Sequence, residues 1–285
     1  PESVLVESPI TIDASDSGDV DTVSPLGQDV IISWPGLTCQ EGTTQDTCTF
    51  TPTEEGETVV TAKVTDDDGE SIYVNSTFMV LNKDPTVSAV SVVVNGIPID
   101  VTSQVVNVEE DQEVTLVAQA IDSLNDLDDI VVEWTPSDRD TNWTVSTIGA
   151  DSSVDVSWSE PGQHIMSVRA YDDDGSSSES TTAVVNVLNV DPEISGLMGD
   201  RAIFEDEMVN LSVSVSDTPS DVEELVICWD LNTALDSDAN GFSDDDCDRT
   251  GLFTEVVWTT SGIRNVRAWV TDDNGAFAEM FTNLS

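Results

Sequence analysis

One segment recurs three times in this chain, and it restricts the possible folds more than any other feature. The copies read Gly56-Glu-Thr-Val-Val-Thr-Ala-Lys-Val-Thr-Asp-Asp-Asp-Gly69, Gly162-Gln-His-Ile-Met-Ser-Val-Arg-Ala-Tyr-Asp-Asp-Asp-Gly175 and Gly262-Ile-Arg-Asn-Val-Arg-Ala-Trp-Val-Thr-Asp-Asp-Asn-Gly275. The bounding glycines are 13 residues apart each time, and the copies start 106 and 100 residues apart. Between the glycines apolar and polar residues alternate, the period of a strand with one face on a core. The triplets Val60/Ala62/Val64, Met166/Val168/Ala170 and Val266/Ala268/Val270 are expected to face inward. A period near 100 residues built from such strands predicts an all-β chain of three tandem β-sandwiches, divided as 1–84, 85–191 and 192–285.

The rest of each repeat follows one order. An alternating strand opens it: Ile10-Thr-Ile-Asp-Ala, Val114-Thr-Leu-Val-Ala-Gln-Ala, Val209-Asn-Leu-Ser-Val-Ser-Val. An acidic loop comes next, Asp16 to Asp21, Asp122 to Asp129 and Asp217 to Glu224. A β-branched strand then ends in Trp34, Trp134 or Trp229. Small residues in the middle of each inward triplet leave room for that indole, the usual core of such a sandwich.

These features resemble tandem PKD domains, the Ig-like sandwiches of surface and secreted proteins. Glu160-Pro-Gly-Gln-His164 matches the family's strand opening, with His164 where Tyr is usual; Thr58 and Arg264 take that place in the other copies. The family's Trp-Asp-Phe-Gly-Asp-Gly is reduced to Trp229-Asp230-Leu231 in repeat three and is lost elsewhere. The resemblance implies an extracellular setting and a structural or adhesive role.

Charge narrows the partners. The chain holds 57 acidic and 8 basic residues, a net charge of −49, which repels nucleic acid and anionic membrane surfaces alike. The counter-charges are dissolved cations, and the acidic surface suits a salt-rich, halophilic habitat. With 38% apolar residues and seven Trp, the chain still has material for cores. It has no apolar run long enough to span a bilayer, so no direct membrane insertion is expected of this segment. It starts at Pro1, and its last strand stops before an equivalent of Val80-Leu-Asn-Lys-Asp-Pro85 appears, which reads as a piece of a longer protein. Two local cysteine pairs, Cys39/Cys48 and Cys228/Cys247, point to disulfides, and Asn75, Asn142, Asn210 and Asn283 begin glycosylation sequons.

Two acidic constellations point to Ca2+. In repeat three, Asp236-Ser-Asp238-Ala-Asn240-Gly241 places oxygen donors at alternate positions ahead of a glycine turn, followed by Asp244 and Asp245, with Phe242 placed to offer its carbonyl. Calcium takes six to eight oxygens, and such a loop can wrap them around one point. The segment resembles the Asp-rich calcium loops of thrombospondin type 3 repeats. The second constellation is spread over the joints. The loop before each Trp strand and the turn before the last strand emerge at one pole, where the preceding linker enters. That gathers Asp122, Asp126, Asp128 and Asp172 to Asp174 with linker Asp84, and Asp217, Asp221, Asp272 and Asp273 with linker Asp191. Asn82 and Asn189 read as caps of the linker backbone.

His164 is the single histidine and is expected to pack rather than to act as a base; with one histidine, no nucleophile–base set can recur across the repeats. The expected role is non-enzymatic: a calcium-stiffened stalk, surface-layer or filament segment that contacts neighbouring copies or flanking domains of the same protein. An adhesin or carbohydrate-binding accessory module is the alternative, with glycans or other surface proteins as partners.

Overall fold

The structure is a computed structural model and describes residues 3–19, 30–40, 45–101, 104–136, 144–197, 201–239, 241–243 and 246–285. Among them are β-strands and no helix, so no helix is long and apolar enough to cross a membrane.

Repeat one contains β1 (Ser3–Leu5), β2 (Ile10–Asp13), β3 (Val30–Ser33), β4 (Thr47–Phe50), β5 (Gly56–Asp66) and β6 (Ser71–Leu81). The sheet β1-β6-β5-β3 faces the pair β2-β4. Repeat two runs β7 (Thr86–Val94), β8 (Ile97–Asp100), β9 (Val106–Glu109), β10 (Val114–Ile121), β11 (Val131–Pro136), β12 (Val145–Ile148), β13 (Asp151–Val156), β14 (Gly162–Tyr171) and β15 (Thr181–Leu188). Its sheets are β13-β10-β7-β8 and β12-β11-β14-β15-β9. Repeat three holds β16 (Glu193–Ser195), β17 (Met208–Ser212), β18 (Ser214–Ser216), β19 (Val226–Asp230), β20 (Arg249–Thr250), β21 (Phe253–Val257), β22 (Arg264–Thr271) and β23 (Phe277–Leu284). They form β20-β19-β22-β23 and the pairs β17-β21 and β16-β18. In the first two repeats an early strand lies parallel to the last one, β1 on β6 and β9 on β15; in the third a parallel bridge joins Arg201 to Leu284.

Among the described residues each repeat has its own core, and no buried cluster crosses a joint. Met166, Val168 and Ala170, and Val266, Ala268 and Val270, are all fully buried, as their period of two requires. Trp134 and Trp229 are fully buried too, and each indole N–H finds an acceptor: Ser152 Oγ at 3.0 Å and the Gly251 carbonyl at 2.7 Å. Trp34 differs. It is only half-buried, its indole N–H has no partner, and it borders a cavity of about 350 Å³ with Ile12, Val60, Ala62, Val64 and Val74. In repeat two, β7 lies along β10 and touches β14 and β15; among the described residues repeat one has no such strand on β2. The well-filled region of its core rests instead on Phe50 and Phe78, whose ring centres are 6.2 Å apart.

The repeated turn shows why its first Asp and last Gly recur. Asp66, Asp172 and Asp272 each accept, through Oδ1, the N–H four residues on, from Glu70, Ser176 and Ala276, at 2.7–2.8 Å. Gly69, Gly175 and Gly275 take φ of 89°, 91° and 90°, the left-handed region where a Cβ is strained. The Asp is therefore a clip that closes the turn before it is anything else.

The disulfides are Cys39–Cys48 and Cys228–Cys247, each with Cα atoms 5.2 Å apart. Alternation with inward Trp229 predicts an outward Cys228, yet it is buried, because the bridged segment folds back over the end of β19. Asn75, Asn210 and Asn283 lie exposed on strands, Asn75 accepting the Thr61 hydroxyl at 2.8 Å; Asn142 falls outside the described residues. His164 stacks on Trp158, with ring centres 5.2 Å apart, and bonds the Glu160 carbonyl at 3.1 Å, which is the packing role expected of it.

Candidate metal sites at the joints and in the third repeat

The joint between repeats one and two is built from the lower end of one sandwich and the upper end of the next. Asn82, in the linker, donates its Nδ2 to Asp172 Oδ2 at 2.7 Å, while its own Oδ1 is buried without a partner. Asp122 and Asp126, in the loop after β10, are buried. Asp122 Oδ1 accepts the Ser123 N–H at 2.8 Å, and its Oδ2 accepts nothing. Asp126 Oδ2 accepts the Ser123 hydroxyl. From repeat one comes Glu55, whose Oε1 also lacks a partner; oxygens of Glu55, Asp126 and Asp174 lie within 4.8 Å of one another. Burial, with a contact to Asp174 and the charges of Asp126 and Asp172, pushes the Glu55 carboxyl up to about 7. Burial also raises Asp122, with Asp126 and Asp172 adding to the effect. Glu7, held at φ 58°, spans the joint to accept the Leu124 N–H at 3.0 Å.

The second joint repeats this plan. Asn189 donates to Asp272 Oδ2 at 2.8 Å and leaves its Oδ1 buried and unpartnered. Asp217 and Asp221 take the places of Asp122 and Asp126, and the Oδ2 of each is unpartnered. Asp111, at φ 56°, reaches the Ser220 N–H at 2.8 Å, as Glu7 reaches Leu124. The glutamate here is Glu110, only 2% exposed, with Oε1 accepting the Val190 N–H at 2.7 Å and Oε2 accepting nothing. Oxygens of Glu110, Asp217 and Asp221 lie within 4.8 Å of one another. Burial pushes Glu110 up to about 6 despite the Val190 N–H, and the charges of Asp221 and Asp217 add to it. Asp217 is raised by burial and by Asp221, Asp272 and Asp273.

Both joints thus concentrate acceptors that have no donors. A carboxylate or amide oxygen cannot satisfy another oxygen, and leaving a buried polar group unpaired costs roughly 1–3 kcal/mol each. A proton can relieve one pair; a hard divalent cation can bind several of these oxygens at once, which is the chemistry Ca2+ prefers.

Of the acids expected at the poles, the structure gathers Asp122, Asp126, Asp172 and Asp174 at one joint and Asp217, Asp221 and Asp272 at the other. Asp84, Asp191 and Asp128 are exposed or half-exposed and lie outside both groups of converging oxygens. The reason for the linker pair is the prolines. Pro85 and Pro192 are the buried residues, so the aspartate before each turns outward. The asparagine three residues before each proline faces the pole, in keeping with a chain of three residues per turn. Asn82 and Asn189 thus reach the joints through their side chains, and Asn189 Nδ2 also bonds the Val190 carbonyl at 3.4 Å, a contact with the linker backbone as expected. Their recurrence as Leu-Asn-x-Asp-Pro was the available signal. Glu55 and Glu110 carried none: they come from different loops, and the counterpart of Glu110 in repeat one is the buried Val6, whose N–H bonds the last strand in the same way.

In repeat three, oxygens of Asp236, Asp238 and Asp246 converge within 4.8 Å. Asp236 Oδ2 accepts the Gly241 N–H at 2.9 Å. Asp246, 1% exposed, accepts the N–H groups of Ser237 at 2.6 Å and Asp238 at 3.2 Å, which hold its carboxyl below the usual range. Phe242 is exposed; Asn240, Asp244 and Asp245 lie outside the described residues.

No protein-family model matches this chain. No curated protein matches it either. Solved structures do. A three-domain I-band fragment of titin is 10% identical, with 99% of this chain and 94% of that one covered and a TM-score of 0.36. Extracellular domains 3–5 of Drosophila OTK are 12% identical, with 99% and 93% covered and a TM-score of 0.31. The fibronectin(III)-like modules of CbhA from Clostridium thermocellum are 21% identical, with 66% and 90% covered and a TM-score of 0.28. All three TM-scores lie below 0.5, so the tandem-sandwich architecture rests on this chain's own strands and sheets.

Proposed function

We propose that this chain is a structural segment of an extracellular or cell-surface assembly, a stalk, surface-layer or filament piece whose tandem domains are stiffened by Ca2+ at their joints. The observation that carries the reading is the second joint. Glu110 from one sandwich and Asp217 and Asp221 from the next bring oxygens within 4.8 Å of one another, each residue with one buried oxygen that has no hydrogen-bond partner; at the first joint Glu55, Asp126 and Asp174 come equally close, with Glu55 Oε1 unpartnered. An ion held there is bound by both domains and by the linker amide, so it restrains the hinge. Tandem domains otherwise swing about such linkers by default. The two disulfides and the exposed sequon asparagines support an oxidising compartment and a glycosylated surface. The net charge of −49 supports dissolved cations as partners, and not nucleic acid; neighbouring copies or flanking domains of the same protein are the protein partners of this reading, with cations screening the charge between them. No catalytic role is assigned. A sugar-binding face would present exposed coplanar aromatics; among the described residues the exposed aromatics are Tyr73 and five Phe residues, with no Trp among them.

Small-angle scattering of the whole chain, in calcium and in chelator, tests the proposal. The expected result is a longer maximum dimension and a narrower distance distribution in calcium. Identical curves in the two conditions would show that the joints are not metal-locked.

A further inference from the structure

Asp230 ends β19, one residue beyond the core indole of Trp229, and is 1% exposed. Its Oδ1 accepts the Asn232 N–H at 2.8 Å; its Oδ2 has no hydrogen-bond partner. The Oδ1 of Asn232 is likewise buried and unpartnered. Across the β19–β20 ladder, Cys228 faces Thr250 and Trp229 faces Arg249, and Asp248, just before β20, comes to the same corner as Asp230. Asp248 is fixed at that corner: its Oδ2 accepts the Leu231 N–H at 2.9 Å and its Oδ1 the Ser237 hydroxyl at 2.8 Å. Asp246 lies close enough for its charge to act on Asp230. Like charges gathered at one corner repel.

The side chain opposite Asp230 on the neighbouring strand β22 is the cationic Arg267. Its guanidinium is committed elsewhere: Nε bonds Glu279 at 2.7 Å, and the plane lies 4.7 Å from the Trp269 ring. The corner therefore holds a buried carboxylate oxygen and a buried amide oxygen that no donor reaches. A proton on Asp230 would satisfy one of them at most. An oxygen-seeking divalent ion would satisfy both and would also offset the charge of Asp248.

We propose that repeat three holds a calcium ion of its own at this corner, bound by Asp230 Oδ2, Asn232 Oδ1 and the Asp248 carboxylate, with Asp246 between it and the acidic loop of Asp236 and Asp238. The ion fastens the end of the Trp229 strand to the base of the disulfide-bonded segment. It is independent of the joints, since none of its ligands belongs to them.

Native mass spectrometry of the whole chain, titrated with Ca2+, counts the ions. Asp230→Asn is expected to bind one ion fewer than the parent, and Asn232→Ala to weaken the same ion at least tenfold. The double variant Asp236→Asn/Asp238→Asn should keep the Asp230 ion, so that adding Asp230→Asn to it removes one more. Melting gives a second readout. Asp230→Asn relieves a buried charge, so repeat three should melt higher than the parent in chelator and lower in calcium. A merely structural residue would not reverse that order. An unchanged ion count in both single variants overturns the proposal. So does a loop double variant that already lacks the ion Asp230→Asn lacks, because one shared ion would then account for everything. Should Asp230→Asn fail to fold, Asn232→Ala carries the count. The scattering test of the joints does not depend on any of these variants.

Discussion

Glu110→Gln separates the two ways in which the second joint can deal with its charge. The side chain is nearly fully buried, and its carboxyl lies at about 6 instead of the ordinary 4.5. At about 1.4 kcal/mol per pH unit, that gap is worth roughly 2 kcal/mol. The folded state holds this proton more tightly than the unfolded chain does. In the absence of metal the contribution is therefore fully present below pH 4.5 and is lost as pH rises through about 6. The facing groups, Asp217, Asp221 and Asp111, are all acidic and offer no compensation. Gln keeps the oxygen that accepts the Val190 N–H and removes the charge. In chelator at pH 7.5, Glu110→Gln should therefore be more stable than the parent, by at most about 2 kcal/mol, and the advantage should vanish near pH 4. Calcium should reverse the order. At a hundred times its dissociation constant, an ion that binds only the folded chain adds about 2.7 kcal/mol to the parent, and Gln should forfeit much of that. Urea unfolding followed at four combinations, pH 4 and 7.5 with and without calcium, measures the whole cycle. A variant less stable than the parent in chelator at pH 7.5, or one with the same calcium gain, would refute the reasoning.

Two further outcomes are expected. Replacing Cys228 and Cys247 by Ser opens a loop whose ends are 19 residues apart, and should destabilise repeat three by roughly 3 kcal/mol on the chain-entropy account, read as a lower melting transition for that repeat while the others hold. In the acidic loop, Asp236→Asn/Asp238→Asn should abolish the calcium-dependent protection of the Cys247 segment against proteolysis, with little change in chelator; protection that persists in calcium would rule the loop out as a ligand.

The sandwich fold was readable because its evidence is local. A strand of period two, an Asp clip and a left-handed Gly are fixed within a dozen residues of one another, and they recur. The half of each joint built from one loop and one turn was readable for the same reason: Asp122, Asp126 and Asp172, or Asp217, Asp221 and Asp272, follow from where those segments emerge. The other half was not. Glu55 and Glu110 reach the joint from the far end of the preceding sandwich, and from different loops in the two repeats, so no periodicity marks them. In the linker, charge points to Asp84 and Asp191, whereas burial of the prolines decides which side faces the pole. Asp230 was visible as a remnant of a family motif, but not as a buried carboxylate; that depended on β20 folding back to bring Asp248 to the same corner.

The parallel edge of each sandwich has a mechanical consequence. Tension on a tandem chain pulls the early strand of a domain toward one pole and its last strand toward the other. In β1–β6 the pairs Ser3–Met79, Val4–Val80 and Leu5–Leu81 lie side by side along the direction of pull; in repeat two β7 and β8 come first, so the four pairs from Val106–Val185 to Glu109–Leu188 in β9–β15 take the load once those strands have yielded. Antiparallel hairpins pulled at their open end unzip rung by rung. Parallel strands drawn in opposite directions slide, so every rung resists at once and all must fail together. Repeat one, tugged by its neighbours, would thus meet force first at this shearing seam, and the sheets behind it would stay closed until it slips.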